Sequence, residues 1–153
     1  MLGQYDAVFL LDVLEHIPDD TAFLTAAIRH LRGGGVMVVN VPASMLLFSQ
    51  YDTVTGHVRR YSRRTLTRVF RQSGLAPEGV SHWGLLMVPV LFARKAHLRM
   101  VREDETMRVG FSPPNLLART VLGGLMKLET AFPFRVPFGT SLLAWGRTAN
   151  NPA

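Results

Sequence analysis

Short unbroken apolar runs alternate in this chain with longer stretches whose apolar residues recur every three or four positions. Val8 to Leu11 is the first run. Its lack of alternation predicts a strand buried on both faces of a parallel sheet, placed at Tyr5 to Leu11. From Pro18 the period changes. Phe23, Ala27 and Leu31 share one face, with Leu24 and Ile28 beside them, and predict an amphipathic helix. Asp19 or Asp20 opens it, at the end where the helix dipole favours a carboxylate. Gly33-Gly34-Gly35 is expected to stop it as a left-handed cap. Val36 to Val41 is a second apolar strand, broken by Asn40 and ended by Pro42. The unit is β-α-β, so its strands are expected to be parallel and its crossover right-handed.

Ala43 to Tyr61 reads as a long loop leaving the carboxyl end of the second strand, of the kind that covers a site. Ser62 caps a helix from Arg63 to Ser73. Leu66, Val69 and Phe70 face inward, Arg64, Arg68 and Arg71 outward. Leu75 to Trp83 is a weak strand. Leu85 to Val101 and Asn115 to Phe132 predict two strongly apolar helices with basic edges, joined by the charged connection Arg102 to Pro114. Thr140 to Arg147 is the last strand. No repeat interrupts this order, and 153 residues are one domain's worth.

Composition narrows the chemistry. Cysteine is absent, which excludes a disulfide framework, a thiolate metal site and a cysteine nucleophile. No basic, apolar and small-residue series of a secretory signal opens the chain, and a cytoplasmic location is expected. The longest apolar stretch, Gly84 to Ala93, is too short to span a bilayer, which takes roughly 20 residues. The net charge of +6 is carried by arginine, six of them between Arg59 and Arg71. Such a cluster suits a phosphate, a carboxylate or an acidic membrane surface, or is a solvated helix face. Few aromatics are interleaved with it, so nucleic acid is not expected.

In open α/β sheets ligands sit outside the carboxyl ends of the strands. The first strand ends there in Asp12, with Glu15 and His16 within one turn. The lid loop brings His57, Arg59, Arg60 and Tyr61 toward the same edge. His16 could serve as a general base, or Glu15 could cap the following helix while His16 packs beneath the lid. Arg59 or Arg60 could clamp a carboxylate or phosphate, or both could brace the loop against Asp52 and Glu78, or one could do each. The glycine triplet follows a helix and precedes a strand, the reverse of a dinucleotide fingerprint.

Several stretches together are similar to the C-terminal half of a class I S-adenosylmethionine-dependent methyltransferase. They are Tyr5-Asp6-Ala7-Val8, Asp12-Val13-Leu14-Glu15-His16-Ile17-Pro18-Asp19, Leu31-Arg32-Gly33-Gly34-Gly35, Gly56-His57-Val58-Arg59-Arg60-Tyr61, Ser73-Gly74-Leu75 and Phe138-Gly139-Thr140-Ser141. The resemblance implies an α/β fold, a partial Rossmann-like sheet of strands equivalent to four, five, seven and six, the last strand antiparallel between its neighbours. It implies one truncated domain over residues 1–153, with residues 84–135 as a helical insertion or lid. The family's glycine-rich loop and its ribose-holding acidic residue have no counterpart here, so only half of the S-adenosylmethionine site is expected.

By the same resemblance, Leu11, Asp12 and Val13 would wall the methionine part of the cofactor. Glu15 and His16 would be the catalytic pair, and His57, Arg59, Arg60 and Tyr61 the acceptor side. Some ubiquinone-biosynthesis O-methyltransferases hold a divalent cation with an acidic-x-x-Glu-His set, a spacing Asp12, Glu15 and His16 match, but no metal site is assigned. The expected activity is methyl transfer, to oxygen of a small-molecule or lipid-linked acceptor, inactive in this stretch alone. The missing half or a second copy would pair along the Tyr5–Leu11 edge. The alternative is a non-catalytic binding or peripheral membrane module that uses the Arg59–Arg71 cluster and the apolar helices.

Overall fold

A computed structural model describes residues 2–100, 105–106, 116–131 and 136–148. Four strands form one mixed sheet: β1 (Tyr5–Leu11), β2 (Leu31–Pro42), β3 (Leu75–Trp83) and β4 (Ser141–Thr148), in the order β1-β2-β4-β3. β1 and β2 are parallel, and β4 runs antiparallel to both β2 and β3. The helices are α1 (Asp20–Ile28), α2 (Gln50–Val54), α3 (Arg63–Gln72), α4 (Val88–Leu98) and α5 (Leu116–Ala131). The sequence-predicted ends of the two apolar helices at Val101, Asn115 and Phe132, and most of the connection between them, lie outside the described residues.

The core lies on one face of the sheet. Met37, Val39 and Val41 of β2 and Leu142 and Ala144 of β4 point there. Leu24 of α1 and Leu66, Val69 and Phe70 of α3 meet them. These are the inward positions the helical period predicts, and burying each large side chain stabilises by about 1.5–3 kcal/mol. Asp19 caps α1 by accepting from the Ala22 amide at 2.9 Å, and Ser62 caps α3 by accepting from Thr65 N at 3.1 Å. Tight strand pairing leaves no space at Gly79, where a Cβ would come within 2.1 Å of the Trp145 ring.

Two expectations are corrected. β1 stands at the edge of the sheet, where the resemblance places it, but is not buried on both faces: Tyr5, Phe9 and Leu11 are more than half exposed. Only the alternate residues Val8 and Leu10 pack on the core. The glycine triplet does not cap α1, which ends at Ile28, but lies within β2. Tyr5 pairs with Leu31 while Ala7 pairs with Val36, so β2 carries the extra residues as an irregularity. Gly34, at φ 74°, makes that detour possible without the clash a Cβ would bring.

The lid loop has structure of its own. A 3₁₀ turn at Met45–Leu47 and the short α2 fold it back on the sheet. Tyr61 returns to β2, its amide donating to Pro42 O at 2.9 Å and its carbonyl accepting from Ser44 N at 2.8 Å. α4 packs over this loop, where Lys95 Nζ donates to Leu46 O at 2.6 Å and the Arg94 guanidinium stacks 4.1 Å above the Tyr51 ring. Glu129 of α5 accepts from the amides of Gly84, Leu85 and Leu86, which ties α5 to the turn that opens α4.

Candidate functional site

Both parallel strands end in a residue with left-handed backbone conformation. Asp12 follows β1 at φ 54° and Ser44 lies just beyond β2 at φ 63°. Non-glycine residues seldom adopt it, and such strain gathers where a site demands it. Asp12 is fixed there from two sides. Its amide donates to Asn40 O at 3.0 Å, and its carboxylate accepts from Asn40 Nδ2 at 2.9 Å. Asn40 Oδ1 in turn accepts from Trp83 Nε1 at 2.8 Å. Asn40, read in the sequence only as a break in an apolar run, is therefore the joint between three strands.

Beyond Asp12 a one-turn 3₁₀ helix, Leu14–His16, carries the next residues. A cavity of about 500 Å³ opens between it and the lid, lined by Asp12, Glu15, His16, Pro42, Tyr51, Val54, Thr55 and His57. Glu15 is fully buried, and neither carboxylate oxygen has a hydrogen-bond partner. Burial pushes its pKa up and the Asp12 charge adds to this, while its own backbone amide, His57 and His16 work the other way. His16 is exposed, with Nδ1 3.3 Å from Gly56 O. Its ring meets that of His57 edge-on at 4.7 Å between centroids.

His57 is the one residue of the expected acceptor set that lines this cavity. Arg59 donates to Asp20 at 2.7 Å and to Pro18 O at 2.6 Å. Arg60 is buried and donates through Nε to Asp52 at 2.7 Å and through Nη1 to Ala43 O at 3.3 Å. The Tyr61 hydroxyl, also buried, lies 2.7 Å from Asp20 Oδ2 and 3.1 Å from Leu14 O. Burial and the Asp20 carboxylate push that phenol far above its ordinary range. Arg59 and Tyr61 brace the lid against α1 and the turn before it, and Arg60 ties the lid to itself. Glu78 takes no part, since it accepts from Arg147 at 2.9 Å. Glu15 does not cap α1 either, because Asp19 does.

Two buried carboxylates hold these braces: Asp52, which the sequence offered as a brace for the arginines, and Asp20, which it offered only as a helix start. Asp20 receives both Arg59 and Tyr61. Asp52 receives Arg60, His57 Nδ1 at 3.0 Å and the Ser49 amide at 2.8 Å. Burial works to raise the Asp52 pKa, but Arg60, His57 and the amide outweigh it and hold it low. The signal for Asp52 was Ser49-x-x-Asp52, a capping-box spacing that forms here.

This architecture, a β-α-β unit whose strand ends open into a polar cavity and whose last strand inserts antiparallel, is that of class I S-adenosylmethionine-dependent methyltransferases. A family model described as "Methyltransferase domain" matches residues 2–79, and the chain belongs to that family. No curated protein matches it. Among solved structures it is similar to a candidate methyltransferase of Bacillus halodurans, at 14% identity and TM-score 0.56, over 97% of this chain and 66% of that one. A candidate methyltransferase of Haloferax volcanii in complex with the Trm112 methyltransferase activator is also similar, at 14% identity and TM-score 0.54, over 99% and 57%. A third is Haemonchus contortus phosphoethanolamine N-methyltransferase 2 in complex with S-adenosyl-L-methionine, at 15% identity and TM-score 0.52, over 97% and 34%. The chain thus spans between a third and two thirds of these relatives.

Proposed function

We propose that this domain transfers the methyl group of S-adenosylmethionine to an oxygen of a small-molecule or lipid-linked acceptor. The observation that carries the reading is the strand-end arrangement. Asp12 is held in a strained conformation at the tip of β1, and Glu15, His16 and His57 share one cavity beside it. The donor set fits the cofactor. An exposed carboxylate at a strand end suits a ligand bearing a sulfonium and an ammonium, and Leu11 and Val13 flank it as wall. The bound cofactor supplies an electrophilic methyl, so the protein's share is alignment and a proton acceptor. His16 takes the acceptor's proton, with Glu15 beneath it and His57 across the cavity. Arg59, Arg60 and Tyr61 contribute by holding the lid.

These 153 residues carry part of the cofactor site. The remainder comes from a chain segment or a second copy that pairs on β1. The support is the edge itself, which bears Tyr5, Phe9 and Leu11 exposed beside open backbone groups. In a radiolabel assay the chain alone is expected to transfer no methyl group, and fusion to a strand-loop-helix segment with a glycine-rich loop to restore transfer. Transfer by the 153 residues alone would sink the shared-site reading. Calorimetric titration with S-adenosylhomocysteine is expected to show binding at or weaker than micromolar, about −8 kcal/mol, lost in Asp12→Ala. No heat from a folded chain would count against the cofactor reading.

A second reading, a membrane-surface module, is favoured by one observation. Arg63, Arg64, Arg68 and Arg71 are exposed on α3, and α4 and α5 expose Phe92, Val121 and Leu128. No helix among the described residues is long and apolar enough to cross a membrane, so any contact of these helices with a bilayer would be peripheral. Salt-sensitive flotation with anionic vesicles, together with no binding of S-adenosylhomocysteine, would select this reading.

A further inference from the structure

Glu15 and His16, on the turn after β1, meet His57 of the lid across the cavity. A carboxylate oxygen of Glu15 and one ring nitrogen from each histidine lie within 4.8 Å of one another. Glu15 is fully buried, and both its oxygens lack a partner. A carboxylate so placed needs a cation or a proton. The nearby arginines are committed elsewhere, Arg59 to Asp20 and Arg60 to Asp52. Each histidine is oriented from behind. His57 Nδ1 faces the buried Asp52 carboxylate at 3.0 Å, and His16 Nδ1 faces Gly56 O at 3.3 Å. Both contacts place the ring proton on Nδ1 and leave Nε2 with its lone pair. That is the outer support a metal-ligating histidine needs.

We propose that Glu15, His16 and His57 bind a divalent transition-metal cation of the Zn²⁺ class. Two imidazoles and one carboxylate suit zinc and its neighbours, whereas Mg²⁺ favours oxygen ligands throughout. The set differs from the acidic-x-x-Glu-His spacing seen in the sequence. Asp12 is absent from it, its carboxylate being engaged by Asn40, and the third ligand comes from the lid 41 residues after His16. Ligands around one tetrahedral ion lie roughly 3.4 Å apart, so the three atoms close onto it by a small inward movement of the lid. Three protein ligands leave a position open toward the cavity. Its use for an acceptor oxygen rests on the methyl-transfer reading. Binding of the ion does not, and an ion there occupies the His16 nitrogen that the metal-free site offers as a base.

The test uses the full chain stripped with a chelator, with neither cofactor nor acceptor present. Co²⁺ is titrated and followed by its visible absorption, then displaced with Zn²⁺. One equivalent is expected to saturate the site and raise the melting temperature. Glu15→Gln and His57→Ala are each expected to weaken binding about tenfold or more, while Asp12→Asn changes it less than about threefold. Circular dichroism of each metal-free variant checks the fold, and His57→Gln replaces His57→Ala where the latter is misfolded. The absence of stoichiometric binding overturns the proposal. So does binding indifferent to Glu15→Gln and His57→Gln, or an Asp12→Asn loss as large as theirs.

Discussion

His57 Nδ1 lies 3.0 Å from an oxygen of Asp52 that also accepts from Arg60 Nε at 2.7 Å, and the Asp52 side chain is wholly buried. One carboxylate thus positions a cavity residue and pins the lid. Breaking a buried pair by removing one partner leaves an uncompensated charge and costs about 3–5 kcal/mol. Asp52→Ala and Arg60→Ala are each expected to destabilise by that amount in urea denaturation, and the double variant by less than the sum. A loss under about 1 kcal/mol in both would refute the bracing role. The Asp52 pKa is depressed in the folded chain. Its contribution is therefore fully present above the ordinary carboxylate pKa of 3.8 and is lost as pH falls through the lower folded value. The Asp52→Ala deficit should shrink in that acid window.

Tyr61→Phe isolates a different brace. The phenol lies 2.7 Å from Asp20 Oδ2, which also receives Arg59. A hydrogen bond to a charged group contributes about 1.5–3 kcal/mol, and the phenyl ring keeps the packing. The variant is expected to lose stability in that range in urea denaturation. Unchanged stability would mean that Arg59 alone satisfies Asp20.

The β-α-β unit, the capped α3 and the position of the cavity at the strand ends were legible in the sequence, because apolar period and capping residues act locally. The exposure of Phe9 and Leu11 was not. An unbroken apolar run reads the same in a central strand and in an edge strand whose outer face is uncovered. The glycine triplet misled for a related reason. Glycine suits a helix cap and a strand irregularity equally, and only the pairing of Tyr5 with Leu31 decides between them. At the site, Asp12, Glu15, His16 and His57 could be placed by motif. Bracing of Arg60 by Asp52, eight residues away in the same loop, was one of two open readings, whereas the commitment of Arg59 and Tyr61 to Asp20 was not legible, since Asp20 lies 39 and 41 residues away. Asn40 escaped because a polar residue in a buried strand announces a partner without naming it.

Glu15→Gln tests the isolated carboxylate directly. The folded-state pKa of Glu15 is raised above 4.5. The group therefore favours folding below its unfolded pKa, and this contribution is lost as pH rises through the folded value. With chelator present, Glu15→Gln is expected to be more stable than the parent at pH 7 and to lose the advantage near pH 4. Paired melts at the two pH values read this out. A variant less stable than the parent at pH 7 would show that Glu15 has a partner in the metal-free chain.

The edge strand makes the last prediction. β1 is paired on one side only among the described residues, and Phe9 and Leu11 stand 63% and 58% exposed along it. Open backbone donors and acceptors beside an apolar row form a template for another strand, which natural edges usually blunt with charge. Here the only charge on β1 is Asp6, at its start. The chain is therefore expected to associate in a concentration-dependent way in sedimentation velocity. Phe9→Lys, at a solvent-facing position, should shift it toward monomer while leaving the urea midpoint within about 0.5 kcal/mol, as surface changes usually do. A parent chain that stays monomeric at all concentrations would remove β1 as a docking edge, and the rest of the cofactor site would then have to be sought on another face.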